Sequence, residues 1–151
     1  MRTYLVVIDD SPESSLALRF AARRAARTGG GVAVLAIIPP QDFLAFGGVQ
    51  ATIEAEAREH AEQLVAAAAE AVMQEANVTP QILIRSGKPA EVVREMIGDS
   101  GEIAALVLAT AASGAPGPLV AHFTGHDAGK LPCPVMLVPG GIDITRLDAL
   151  S

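Results

Sequence analysis

Five short runs rich in Val, Ile and Leu punctuate this chain, at residues 4–8, 32–38, 81–85, 103–108 and 135–138. Most are apolar at nearly every position, which suits strands buried on both faces of a parallel sheet; a half-wet strand would alternate apolar and polar residues. Residues 81–85, Gln81-Ile82-Leu83-Ile84-Arg85, are the least apolar and read as lying nearer an edge. Helical patterns fill the gaps. Ser11 is placed to cap the first helix, and Pro12 suits its first turn, where a missing N–H costs nothing. Leu16 and Phe20 with the surrounding alanines give it an apolar face, and Gly29-Gly30-Gly31 ends it. In the second helix Ile53, Ala57, Ala61, Leu64, Ala68 and Val72 recur every three or four residues, with Glu54, Arg58, Glu59 and Glu62 on other faces. A third runs from Pro89 through Val92, Val93, Met96 and Ile97 to a stop near Gly98. A fourth is placed between Phe123 and Lys130, where Gly125 and Gly129 weaken the signal.

The order is therefore β-α-β-α-β-α-β-α-β, which implies right-handed crossovers and an open three-layer α/β sheet. At 151 residues the chain fits one domain, large enough to bury a core without a staple. Eleven basic residues against 17 acidic ones give a net charge of −6, the wrong sign for a general nucleic-acid binder, and the five aromatic rings offer few platforms for bases. The single cysteine, Cys133, cannot form an internal disulfide, which points to the cytoplasm, and it reads as a small core residue. The opening apolar run stops at Asp9-Asp10, too soon for an export signal, and no stretch is long and apolar enough to cross a membrane.

In an open α/β sheet, ligands bind beyond the carboxyl ends of the strands, where the strand order reverses. Two strand-end segments carry unusual residues: Ile8-Asp9-Asp10-Ser11-Pro12, and the Gly/Ser/Thr-rich segment of residues 109–117. If the first and fourth strands are neighbours, these loops face one crevice. Asp9 and Asp10 then either meet a base amine or sugar hydroxyl, with backbone N–H groups opposite for phosphates, or they only cap the first helix.

At this point the chain resembles the universal stress protein family over nearly its whole length. Val7-Ile8-Asp9-Asp10-Ser11-Pro12 is similar to the family's opening strand and Asp-x-Ser turn. Gly87-Lys88-Pro89 resembles the element that begins its third helix, and Leu131-Pro132-Cys133-Pro134-Val135 the entry to its last strand. The resemblance implies a five-stranded parallel sheet ordered 3-2-1-4-5, of the adenine nucleotide alpha-hydrolase-like type, spanning residues 1–141. It implies a role in stress response through ligand or partner binding, without strong catalytic residues. The ligand it implies is ATP, with Mg if bound. Asp9, Asp10, Ser11 and Ile38 would serve the base and sugar side, and Ala109, Thr110, Gly114, Gly117 and Gly125 the phosphate side.

The family's phosphate pattern, Gly-x2-Gly-x9-Gly-(Ser/Thr), is altered here. Ala109 and Ala112 stand where the first two glycines belong. Gly114-Ala115-Pro116-Gly117 keeps a Gly-x2-Gly, but His126 follows Gly125 where Ser or Thr belongs. Methyl groups and prolines weaken a phosphate cradle by blocking close approach and removing donors. The alanines favour a second class, a dimeric interaction module that binds no nucleotide.

The resemblance also implies a homodimer through residues 135–138, since an exposed apolar edge strand invites pairing with another chain. An unidentified protein partner is the other expected contact. Residues 142–151 are expected to form a tail that is loose or packs on the second copy of the homodimer. The two aromatics Phe43 and Phe46, with Leu44, should cover a pocket or a partner surface. Two further chemistries are weaker. A receiver-like phosphoacceptor is missing, because no aspartate lies between Asp42 and Asp99. An enzyme would have to use His122, His126 and Asp127, the two histidines sharing a face only if their segment is helical.

Overall fold

The computed structural model describes residues 1–40 and 47–151. Five parallel strands, β1 (Thr3–Val7), β2 (Gly31–Ile38), β3 (Gln81–Ser86), β4 (Ile103–Ala109) and β5 (Val135–Val138), form one sheet in the order β3-β2-β1-β4-β5. The helices are α1 (Ser14–Thr28), α2 (Gly47–Ala76), α3 (Pro89–Asp99), α4 (Pro118–Thr124) and α5 (Ile144–Leu150). Successive side chains of a strand point to opposite faces, and both faces of the central strands are buried. Tyr4, Val6, Val32, Val34, Ala105 and Val107 pack in one core beneath α1 and α2. The intervening Leu5, Ala33, Leu35, Leu106 and Leu108 pack in another beneath α3 and α4. Continuous apolar runs therefore follow from a sheet covered on both sides, as the sequence pattern predicts. β3, the least apolar run, is an edge strand with Ile82 exposed.

On α2 the inward residues are Ala61, Val65, Ala68 and Val72, which adds Val65 to the predicted stripe. α1 ends on Gly29, whose φ of 68° is left-handed backbone that glycine adopts without strain.

Three expectations are corrected. α1 begins at Ser14 with Glu13 at its N-cap, not at Ser11; Ser11 closes a turn ahead of the helix, its carbonyl accepting from the Ser14 N–H at 3.3 Å. The fourth helix spans Pro118–Thr124, one turn or more earlier than residues 123–130. Pro118 stands in its first turn, where proline needs no N–H partner, and Gly125 is its C-cap. Residues 142–151 are not a loose tail. Ile144–Leu150 is helical, and Leu147 and Ser151 are fully buried. The anchor is ionic: Arg19 grips both Asp148 oxygens at 2.8 Å, and Arg23 reaches Glu75 at 2.8 Å. A two-pronged guanidinium–carboxylate pair fixes orientation as well as distance. The Arg19 side chain beside it holds the Asp148 carboxyl below its usual range.

Because Leu147 is a buried core residue, Leu147→Ala should lower the unfolding free energy by about 2–5 kcal/mol in a urea titration. A change within about 0.5 kcal/mol, the usual range for a surface substitution, would mean that α5 does not contribute to the fold.

Candidate functional site

A cleft of about 480 Å³ opens at the carboxyl ends of β1, β2 and β4. Its position follows from the topology. The chain winds from β1 to β2 to β3 on one side, then crosses to β4 on the other side of β1, so the loops after β1 and β4 part and leave a crevice. Val7, Ile8, Asp9, Asp10 and Ser11 form one wall, and Ala36 through Pro39 the floor beside it. Leu108, Ala109 and residues 116–120 close the opposite side, and Ala57, His60, Ala61 and Leu64 of α2 lie across the top.

Asp9 and Asp10 do not cap α1. Asp9 Oδ1 accepts the Ser11 N–H at 2.8 Å and the Ser11 hydroxyl, an Asx turn that holds the loop open toward the cleft. Its Oδ2 has no hydrogen-bond partner among the described residues, so it stays available as an acceptor. Asp10 reaches across the cleft mouth to His60 Nε2, at 2.8 and 2.9 Å from its two oxygens. His60 escaped notice in the sequence. It stands three residues after Ala57 and one before Ala61 on the apolar stripe of α2, and that helical spacing was the signal that could have found it.

The phosphate-side residues are only partly brought together. Ala109 and Gly117 line the cleft; Thr110, Gly114 and Gly125 do not. The Thr110 N–H donates to the Val138 carbonyl at 2.9 Å, and its Oγ1 accepts the Gly140 N–H at 3.2 Å. Thr110 thus ties the loop after β4 to the loop after β5. The Ala111 N–H closes the β4 loop on the Pro116 carbonyl at 3.1 Å. Glycine is required at 140, because a Cβ there would stand 2.0 Å from the Thr110 carbonyl oxygen.

His122, His126 and Asp127 lie outside the cleft. α4 ends at Thr124, so the two histidines do not share a helix face as that reading required. Asp127 is buried, and its Oδ2 accepts from His122 Nε2 at 2.7 Å and from Arg94 Nη1 at 2.6 Å. The His122 and Arg94 hydrogen bonds hold its carboxyl below the ordinary range against the opposing effect of desolvation. The arrangement clamps the segment after α4 onto α3. Among the described residues no group of three His, Cys, Asp or Glu side chains is placed to hold a metal ion. Cys133 is half-buried against the α3 side of the sheet, and burial pushes its thiol up, away from reactivity. Phe43, Leu44 and Phe46 lie outside the described residues.

The universal stress protein family model matches residues 1–139. The chain belongs to this family. Solved structures agree on the fold. The universal stress protein UspA from Lactobacillus plantarum superposes with a TM-score of 0.71 at 19% identity, over 91% of this chain and 97% of that one. A universal stress protein in complex with cAMP gives a TM-score of 0.60 at 16% identity, over 91% and 96%. The Archaeoglobus fulgidus universal stress protein in complex with dAMP gives 0.56 at 19%, over 91% and 97%. No curated protein matches this universal stress protein by sequence.

Two substitutions test the scaffold of the site. Gly140→Ala should destabilise the fold by about 1–3 kcal/mol in urea, the range for overpacking, whereas Gly141→Ala, with open space around it, should not. Asp127, with its folded pKa below the ordinary 3.8, stabilises the fold above that value and loses the contribution as pH falls through the folded pKa. The loss of stability between about pH 5 and about pH 2 should therefore be smaller in Asp127→Asn than in the parent.

Proposed function

We propose that this universal stress protein binds an adenine nucleoside or nucleotide in the cleft between the β1 and β4 loops, and that the bound state regulates its partners in stress response. The observation that carries this reading is the cleft itself. It joins an apolar slot at the fold's strand-order reversal to an open carboxylate oxygen on Asp9. A flat base suits the slot between Ile38, Pro39 and Leu108, and the Asp9 acceptor suits an exocyclic amine or a sugar hydroxyl. Relatives of the same fold solved with cAMP and dAMP lend support. ATP, with Mg if bound, is the family ligand to include in any test.

The chain fits such a ligand unequally along its length. The base and sugar side has its apolar floor and its acceptor, whereas Thr110 and Ala111 have their N–H groups engaged within the protein. Pro116 and Pro118 have none to offer. No catalytic step is assigned to any of these side chains.

A homodimer through β5 accompanies this reading. Among the described residues β5 pairs only with β4, and it carries the exposed Leu137, an apolar edge strand of the kind that a second copy covers. A cytoplasmic location fits a chain with one cysteine and, among the described residues, no helix long and apolar enough to cross a membrane.

A thermal melt with and without millimolar adenosine, AMP or Mg-ATP tests the binding. A ligand at 100 times its Kd adds about 2.7 kcal/mol, a rise of roughly 5–10 °C for a domain of this size. The rise should vanish in a folded Asp9→Ala. Absence of any shift with all three compounds would turn the reading to the ligand-free interaction module.

A further inference from the structure

We infer that His60, oriented by Asp10, is a ligand-contacting residue at the mouth of the cleft, where its Nδ1 accepts a hydrogen bond from a ribose hydroxyl. The inference rests on the nucleotide reading above and names a group that meets the sugar.

His60 lines the cleft from α2, together with Ala57, Ala61 and Leu64. Ala61, the next residue, is buried in the core against the sheet, which fixes the turn of helix that carries the imidazole. Nε2 of the ring lies 2.8 and 2.9 Å from the two oxygens of Asp10, on the loop after β1. An ionised carboxylate only accepts, so the ring hydrogen of the neutral imidazole sits on Nε2. Nδ1 is then an acceptor, and no described residue donates to it. A carboxylate that sets the tautomer of a ring in this way frees the other nitrogen for a ligand. Stability does not account for the pair. With side-chain exposures of 52% for His60 and 75% for Asp10, it adds little to the fold. What it supplies is a ring of fixed tautomer on the wall of a cleft.

The burial gradient along the cleft decides which ligand group reaches that ring. Ile8, Ala36, Ala61 and Leu108 are buried lining residues, whereas Asp10 and His60 stand at the solvent edge. A flat base gains most from the buried apolar end, so the sugar attached to it falls toward the edge. Ribose hydroxyls are donors, and the Nδ1 lone pair is the acceptor that α2 turns toward them.

Calorimetric titration of the full chain with adenosine, 2′-deoxyadenosine and 3′-deoxyadenosine tests this. Losing one neutral hydrogen bond lowers affinity by about three- to tenfold. The parent should therefore prefer adenosine over at least one of the deoxynucleosides by that factor. His60→Phe keeps a ring on the wall and removes the acceptor, as His60→Ala removes both; either should shrink the preference below about twofold. His60→Gln, whose amide oxygen accepts, should restore part of it. Asp10→Ala, which no longer sets the tautomer, should weaken it. A purely structural His60 would instead lower the affinity for the three nucleosides by one common factor. Equal binding of the three by the parent, or a preference that survives in both His60→Phe and His60→Ala, would overturn the inference and leave the nucleotide reading standing. No binding of adenosine by the parent, with a melt showing it folded, would overturn both.

Discussion

Burial of β1, β2 and β4 on both faces governs the rest of this molecule. Once Leu5 and Val6 must both leave water on opposite sides of one strand, helices are needed above and below the sheet. Right-handed crossovers then dictate which connection lies on which face. α1 and α2 cover one face and α3 and α4 the other, so the chain has to change sides once, between β3 and β4. The cleft lies at that change of side. It is a consequence of covering a parallel sheet, and it is present whatever residues the loops carry.

The loops decide what the cleft can hold. On the β1 side, Asp9 uses one oxygen to shape its own turn, and among the described residues its other oxygen has no partner. Across the way, the β4 loop is ordered by bonds that run inward and sideways, to Pro116 and to the β5 loop. The two sides of one crevice are thus unequal: a carboxylate oxygen faces it from the β1 turn, while opposite it the Thr110 and Ala111 N–H groups are engaged within the protein. α2 contributes His60 to the mouth, which couples a helix that packs on the sheet to the acidic turn after β1.

Much of the architecture was legible in the residue pattern. Five apolar runs marked five strands, the weak third run marked an edge, and Pro89 and Gly29 stood at helix boundaries. Asp9 was legible as a cleft residue because strand ends in this topology converge on the crevice, and Ile38 through the resemblance to the family. The fourth helix was misplaced because its true start signal, Pro118, lies among other turn residues, Gly114, Pro116 and Gly117. The C-terminal helix was missed because a seven-residue segment carries too little periodicity to stand out.

The chain's local chemistry, its runs of branched aliphatic residues and its turn residues, determined the elements, their order and the sheet they make. Those signals arise between near neighbours and are written in spacing alone. Tertiary structure decided the rest through partners far apart in sequence. Arg19 fixes α5 through Asp148, 129 residues away; Arg94 holds Asp127 across 33; Thr110 takes the Gly140 N–H across 30. Which donors remain for a ligand depends on such pairings. A residue's availability is set by what the folded chain brings against it, and no spacing rule records that.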